Sequence, residues 1–270
     1  MHVVVCVKEI PDPEIAASVF RVDEEACRVI PLPGLPFVVN PFDEQAIEAA
    51  LRLRDGGTEA RISLLCLGAQ SARAIIKNGL ALGADEAFLL SDPAFDDGDG
   101  FTTALALSRA IAKIGDVDLV LAGRQAADGD AGIVGSGIAE LLDLPAVTFA
   151  GSLLLDDGSL VVERVLDDSG ETVATTLPAV VTIAHELGRV RHASLRETMK
   201  AARKPITEWT AADLDLSADQ VGAAGARRVL ERLYVPVNDI VCEFIGGDDA
   251  DGQATALLDR LLAERVLEAP

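Results

Sequence analysis

The sequence predicts an α/β fold: a doubly wound, mostly parallel sheet with an added β-hairpin and an extended C-terminal arm. Short apolar runs alternate with amphipathic segments, which is typical of a parallel sheet covered by helices on both faces. Two β-rich runs flank the turn signal Asp157-Gly158, which favours a hairpin. From Trp209 onward the chain is mostly polar and rich in alanine. Half of the 270 residues are apolar, enough to bury a substantial core.

Over the first half of the chain each predicted strand is followed by a predicted helix. We expect strands at residues 2–8, 60–68, 86–91, 118–123 and 179–184, and helices at 44–53, 72–83, 101–114 and 132–144. Asp43 and Ser71 are expected to cap the first two helices, because short polar side chains accept bonds from first-turn N–H groups. Gly83 is expected to end the second helix. Pro41 precedes the first helix, since proline disrupts a helix interior.

The second half of the chain divides into a continuation of the domain and an arm. The α/β domain is expected over residues 1–205, with the hairpin at about 146–166 and a basic segment at about 185–204. Residues 206–270 form the predicted arm. Its terminal helix carries an apolar stripe that can pack on its own domain or on a partner. The stripe consists of Leu257, Leu258, Leu261 and Leu262.

The charge and the apolar runs limit the class of protein. The formal net charge is -21, which disfavours nucleic-acid binding and attraction to anionic lipid, because both require a positive field. The apolar run near the N-terminus is too short for a signal-peptide core. No segment approaches the roughly 20 apolar residues of a membrane-spanning helix. We therefore expect a cytoplasmic protein without direct membrane insertion.

Metal-binding and catalytic patterns do not emerge from the sequence. The four cysteines lie far apart without a CxxC pair, and the three histidines have no ligand spacing, so no metal site is predicted. Cys6 and Cys66 lie within apolar strands and are interpreted as small buried thiols. No catalytic arrangement of Ser, His and Asp or of Cys and His can be identified, and no catalytic residue is predicted. This favours a protein that holds a nucleotide or cofactor over a hydrolase.

Candidate binding loops follow the strands, because Rossmann-like nucleotide-binding sheets bind ligands beyond the carboxyl ends of their strands. Three loops stand out, at residues 8–13, 68–72 and 123–142. In the third loop, glycines and the N-terminus of a helix could approach a phosphate. Asp128 and Asp130 would repel phosphate and suit ribose or adenine donors, or the N–H groups of the loop itself. The alternative is a tight connection with glycines that serve helix packing.

Several motifs in one order resemble the β subunit of electron transfer flavoproteins. They are "VVVCVKEIPDP" at 3–13, "NPFDEQAIEAALRL" at 40–53, "GLALGADEAFLLSD" at 79–92, "DLVLAGRQAADGD" at 118–130 and "LPAVVTI" at 177–183. The resemblance runs from residue 1 to about 205. It implies a heterodimer with an α subunit that carries the electron-transferring FAD, and an arm that packs on that subunit. Electrons would pass from acyl-CoA dehydrogenases to a membrane quinone oxidoreductase.

The resemblance also implies a nucleotide site in this chain, holding AMP in the ordinary branch or a second FAD in the electron-bifurcating branch, where NADH is the donor. The residues carried over by position are Cys6, Asn40, Pro41, Phe42, Asp43, Leu67, Arg124, Gln125, Ala126, Ala127, Asp128, Gly129, Asp130, Ala131, Gly132, Ile133, Val134 and Gly135. Ala131 and Ile133 stand where many members have polar side chains, so backbone contacts are expected there. Gly129 resembles the bifurcating branch, whereas "NPFDE" is closer to the AMP-binding branch, which we favour slightly.

The basic segment resembles the partner-recognition loop of the family. In that loop a leucine inserts into a hydrophobic pocket of an acyl-CoA dehydrogenase, and the matching residue is Leu195, flanked by Arg191, Arg196 and Lys200.

Two rival interpretations of the whole chain are a nucleotide-binding sensor domain without a redox role and an adenylating enzyme. The sensor domain would not explain the basic segment or the hairpin. The adenylating enzyme would need a phosphate loop and a metal-binding acid at the strand ends, and neither rival accounts for the whole chain.

Overall fold

Thirteen strands and seven helices are found in the computed structural model, which describes residues 1–16, 21–30, 34–236 and 241–267. The strands are β1 (His2–Val7), β2 (Glu9–Pro11), β3 (Val22–Asp23), β4 (Arg28–Val29), β5 (Phe37–Val39), β6 (Arg61–Leu67), β7 (Glu86–Leu90), β8 (Leu119–Gly123), β9 (Ala146–Asp156), β10 (Ser159–Val165), β11 (Gly170–Thr176), β12 (Ala179–Ile183) and β13 (Thr207–Trp209). The helices are α1 (Pro41–Asp55), α2 (Arg73–Leu82), α3 (Gly100–Ile114), α4 (Val134–Leu142), α5 (Leu195–Arg203), α6 (Gly222–Gly225) and α7 (Ala250–Ala263). All five predicted strands and all four predicted helices of the domain are present.

Nine of the strands form one mixed, mostly parallel sheet in the order β11-β10-β9-β12-β8-β1-β6-β7-β13. The central strand β1 pairs in parallel with β6 on one side and with β8 on the other. The chain first adds β6 and β7 to one side of β1 and then crosses to add β8. The strand order therefore reverses between β1 and β8, and such a switch point is where open α/β sheets bind ligands.

The sheet is buried on both faces because its central strands are almost continuously apolar. Val3 and Val5 of β1 pack in a core with α1 and α2, whereas Val4 and Cys6 pack in a second core with α3 and α4. Alternate side chains of a strand point to opposite faces, so one short run serves both cores. This confirms the predicted doubly wound α/β class.

Helices α1 and α2 are not capped by the two residues that the sequence predicts. Helix α1 begins at Pro41, and Asp43 lies inside its first turn with its carboxylate bonded to other segments. Helix α2 begins at Arg73, after a short 3-10 turn, and the Ser71 hydroxyl donates to Glu9 instead of capping. Both predicted caps are therefore wrong. Asp43 accepts from backbone N–H groups of other segments, and Ser71 donates to the carboxylate of another segment. Gly83 ends α2 as predicted, with a positive φ of 134°.

The predicted hairpin is confirmed and is part of a longer meander. Strands β9 and β10 pair antiparallel across Asp157 and Gly158, both of which have positive φ, as a two-residue hairpin turn requires. Strand β11 then adds antiparallel to β10 and forms one edge of the sheet. Its first three residues are exposed and the other four alternate between half-buried and exposed, and its polar sequence gave no apolar signal.

The chain continues to build the domain beyond residue 205. Strand β13 pairs with β7 as the other sheet edge, and Leu214, Leu216 and Val221 are buried in the core with α3 and α4. Helix α7 has no buried residue. In its leucine stripe, Leu257 and Leu258 are exposed, and Leu261 and Leu262 are half-buried. Residues 237–240 and 268–270 of the predicted arm lie outside the described residues. Among the described residues, no helix has the length and apolar content needed to cross a membrane.

Candidate functional site

A cavity of about 260 Å³ opens at the switch point, beyond the carboxyl ends of β1 and β8. Cys6, Val7 and Lys8 contribute one part of its lining, and the loop from Gly123 to Gly135 contributes another. Burial raises the pKa of the Cys6 thiol far above its usual range, so this cavity-lining thiol stays protonated and unreactive. This matches its interpretation as a small buried thiol.

Asp43 fastens helix α1 to the two central strands beneath the cavity. Its carboxylate accepts the backbone N–H of Lys8 at 2.8 Å and that of Gly123 at 3.1 Å. Burial raises the pKa of this carboxyl to about 7, against the opposing effect of the hydrogen bonds that it accepts. A side chain at position 123 would meet the Phe42 Cβ at 2.7 Å, so glycine is required where α1 approaches β8. Asp43 is therefore a structural acceptor within the cavity wall.

Asn40 ties the glycine-rich loop to the start of α1. Its side-chain Nδ2 donates to the Gln125 carbonyl at 2.8 Å, and its Oδ1 accepts the Ala127 N–H at 3.1 Å. Asn40 is fully buried, so both bonds are sheltered from water. The loop therefore has a fixed path along the mouth of the cavity.

The two loop aspartates are occupied by donors of the chain itself. Lys8 Nζ lies 2.8 and 2.7 Å from the two carboxylate oxygens of Asp128. Gln125 Nε2 donates to Asp130 Oδ1 at 2.7 Å. The donors are the side chains of Lys8 and Gln125, and not the loop N–H groups of the sequence interpretation.

The N-termini of α3 and α4 both border the cavity but differ in capping. Asp99 caps α3, with Oδ1 accepting from Phe101 N and Thr102 N at 3.0 Å each. The residue before α4, Ile133, forms no side-chain cap. The first-turn N–H groups of α4 have no intrahelical acceptor, and the first-turn residues Val134 and Gly135 line the cavity. They make α4 the better anion donor of the two helices.

Arg124 projects from the end of β8 between two aromatic rings. Its guanidinium carbon lies 5.4 Å from the centre of the Phe42 ring and 5.6 Å from that of Phe149. Both distances are within the range of cation–π contacts. Phe149 is half-exposed and has a positive φ of 60°.

The structure brings most of the predicted site residues together around this one cavity. Pro41, Phe42 and Ala127 are the predicted residues that do not line it. The sequence reasoning missed one wall, formed after β7 by the loop and first turns of α3. That wall comprises Gly98, Asp99, Gly100, Thr103 and Leu107. The available signal was Gly98-Asp99-Gly100 at the start of a helix, in the connection that follows a strand.

The predicted partner-binding residues occupy two different settings. Arg191 is engaged within the chain, with Nε 2.8 Å from Glu48 Oε2 and Nη2 2.7 Å from Asp55 Oδ2. These pairs pin the segment before α5 to α1. Leu195, in contrast, is 78% exposed at the start of α5. Lys200 has an exposed contact of 3.8 Å with Glu197, and Arg196 is also exposed.

Together these features define an α/β protein with a ligand-sized cavity at the switch point of a doubly wound sheet. The family profile described as Electron transfer flavoprotein domain matches residues 34–214. A caffeyl-CoA reductase-Etf complex subunit from Acetobacterium woodii is 34% identical over 99% of this chain and 100% of that protein. The electron transfer flavoprotein subunit beta from Megasphaera elsdenii is 31% identical over the same shares, and Protein FixA from Sinorhizobium fredii is 35% identical over 87% and 84%. The chain belongs to the electron transfer flavoprotein family and is a β-type subunit.

Proposed function

We propose that this chain pairs with an electron transfer flavoprotein α subunit and holds an adenine nucleotide, AMP, in the cavity between β1 and β8. The heterodimer would work in the cytoplasm, carrying electrons from acyl-CoA dehydrogenase-type flavoenzymes to a membrane quinone oxidoreductase. The FAD associated with the α subunit would supply the redox chemistry. This chain would position that flavin and bind the partner.

The uncapped N-terminus of α4 at the cavity is the observation that carries the nucleotide proposal. A phosphate there would meet N–H donors that no side chain occupies. The nearby carboxylates of Asp43, Asp128 and Asp130 already accept hydrogen bonds from the chain, which offsets their repulsion of an anion. The residues present therefore fit a nucleotide with its phosphate toward α4.

Exposed apolar side chains beyond the sheet support a partner subunit. Val229 is 84% exposed and Phe244 is 91% exposed, and Leu257 and Leu258 of α7 are about half-exposed. Exposed large apolar side chains concentrated in one stretch of the chain support an interaction surface there. We assign the arm and α7 to contact with the α subunit, and Leu195 to contact with the dehydrogenase.

A second candidate is an electron-bifurcating subunit that holds FAD in the cavity, with NADH as the donor. Two observations favour it: Gly129 between the loop aspartates, and the similarity to a relative named as a subunit of a caffeyl-CoA reductase-Etf complex. Because FAD contains an AMP moiety, the same α4 donors would serve its phosphates.

Cofactor stoichiometry tests both candidates. The heterodimer is purified, its ligands are released with acid, and flavin and AMP are quantified per dimer. About one flavin and one AMP support the first candidate, whereas about two flavins and no AMP support the second. A heterodimer with one flavin and no second nucleotide would overturn the proposal for the cavity. A chain that forms no flavin-containing dimer would instead support a sensor domain without a redox role.

A further inference from the structure

Asp99 connects the cavity to the root of the C-terminal arm. Its Oδ1 caps α3, while its Oδ2 accepts the backbone N–H groups of Arg227 at 2.8 Å and Arg228 at 3.0 Å. One carboxylate thus accepts from four backbone donors, two in the first turn of α3 and two in a segment 128 and 129 residues later. Although burial raises its pKa, the bonds from Thr102, Arg227 and the other amides lower the pKa of Asp99 overall.

A stacking contact strengthens the same junction. The Arg227 guanidinium lies 3.4 Å from the centre of the Phe101 ring, in the first turn of α3. Just before it, Val221 is fully buried and Ala223 N donates to Asp96 O at 3.0 Å. The root of the arm therefore follows the loop that leads into α3.

The residues on both sides of Asp99 line the cavity. A Cβ at Gly100 would lie 2.6 Å from Ile133 Cδ1, so the two walls of the cavity touch at this point. A ligand between Gly98 and Gly135 would contact both walls. Because the backbone beside Asp99 is part of one wall, a ligand that orders this wall also fixes the carboxylate that holds the arm.

We propose that Asp99 is a positioning residue through which a nucleotide in the cavity and the docked root of the arm stabilise each other. This rests on the proposed function of the cavity. Coupling of this kind is reciprocal: a bound nucleotide holds Arg227 and Arg228 more firmly, and release of the arm weakens nucleotide binding.

Hydrogen exchange of the full wild-type chain, with and without AMP, measures the first direction. We expect AMP to slow exchange of the Arg227 and Arg228 amides. Unchanged or faster exchange at saturating AMP would overturn the coupling alone. Failure of AMP to bind, measured by calorimetry, would overturn the proposed occupant as well, so the two failures are distinguishable.

Asp99→Asn measures the second direction. Asparagine is a good N-cap, so α3 keeps its cap, but the side-chain amide offers only one acceptor oxygen and leaves the arm amides unbonded. We expect a similar unfolding temperature, fast exchange at Arg227 and Arg228, and AMP binding weakened about fivefold or more.

Asp92→Asn is the matched control. Asp92 also caps a short helix, at Ala94 N, and also accepts from a later segment, at Ala211 N, but it does not line the cavity. We expect its AMP affinity to equal that of the wild type. Equal losses in both variants would reduce Asp99 to a general structural role and overturn the proposal.

Discussion

Lys8 Nζ lies within 2.8 Å of both carboxylate oxygens of Asp128, joining the end of the first strand to a loop 120 residues later. The pair neutralises one of the carboxylates that line the cavity and occupies the Lys8 ammonium. Both side chains retain partial exposure, at 49% and 29%. The pair therefore matters more for the electrostatic potential in the cavity than for the free energy of unfolding.

Asp128→Asn is expected to tighten AMP binding roughly 3- to 10-fold, because it removes a negative charge from the cavity and frees Lys8. Lys8→Met is expected to weaken AMP binding by a similar factor while keeping the Lys8 backbone bond to Asp43. Either change should cost less than about 1 kcal/mol of unfolding free energy. Calorimetric titration with AMP and urea denaturation check both effects. Weaker AMP binding by Asp128→Asn would show that this carboxylate accepts donors from the nucleotide.

Asp43 predicts a pH dependence of stability. Its pKa in the folded protein is about 7, raised from 3.8 by burial. Its contribution is fully present below about pH 4 and is lost as the pH rises through 7, because the unfolded chain ionises first. The slope reaches about 1.4 kcal/mol per pH unit. We expect Asp43→Asn to remove this component from urea denaturation curves measured between pH 5 and 8. If the unfolding free energies of the variant and the wild type changed in parallel with pH, this role of Asp43 would be contradicted.

Glu48 anchors the segment that precedes α5. Glu48 is 5% exposed, and its carboxylate accepts from Arg52 Nε at 3.0 Å and from Arg191 Nε at 2.8 Å. Glu48→Gln leaves both guanidinium groups without their shared charge, and we expect a loss of about 1–3 kcal/mol in unfolding free energy. Lys200→Ala, which removes an exposed pair, should change stability by less than about 0.5 kcal/mol. Similar losses in the two variants would contradict the anchoring role.

Leu195→Ala tests the docking surface. The side chain is 78% exposed, so its truncation should change unfolding free energy by less than about 0.5 kcal/mol. Reduction of the heterodimer by an acyl-CoA dehydrogenase should slow by about tenfold, since a lost apolar anchor is worth over about 1 kcal/mol. The control is Leu154→Ala, an exposed leucine on β9. Equal rates for the wild type and Leu195→Ala with every dehydrogenase tested would rule out this role.

The central strands and the hairpin were predictable because their signals are local. A run such as His2–Val7 has no polar face to expose, and Asp157-Gly158 readily adopts the positive φ values of a tight turn. Strand β11 was not predicted, because an edge strand buries little and its sequence is polar. The Asp43 cap was wrong because Lys8 N and Gly123 N, brought near by folding, engage its carboxylate.

The sequence by itself determined the α/β class, the order of the central strands and their helices, and the loops at the carboxyl ends of those strands. These follow from the period of apolar residues and from turn chemistry, both readable within a few residues. Only the tertiary structure decided what the charged side chains in those loops do. Asp128 meets Lys8, Asp130 meets Gln125, and Asp99 meets both α3 and the arm. The reason is physical: a carboxylate is satisfied by whichever donor folding brings within about 3 Å, and those donors lie up to 129 residues away.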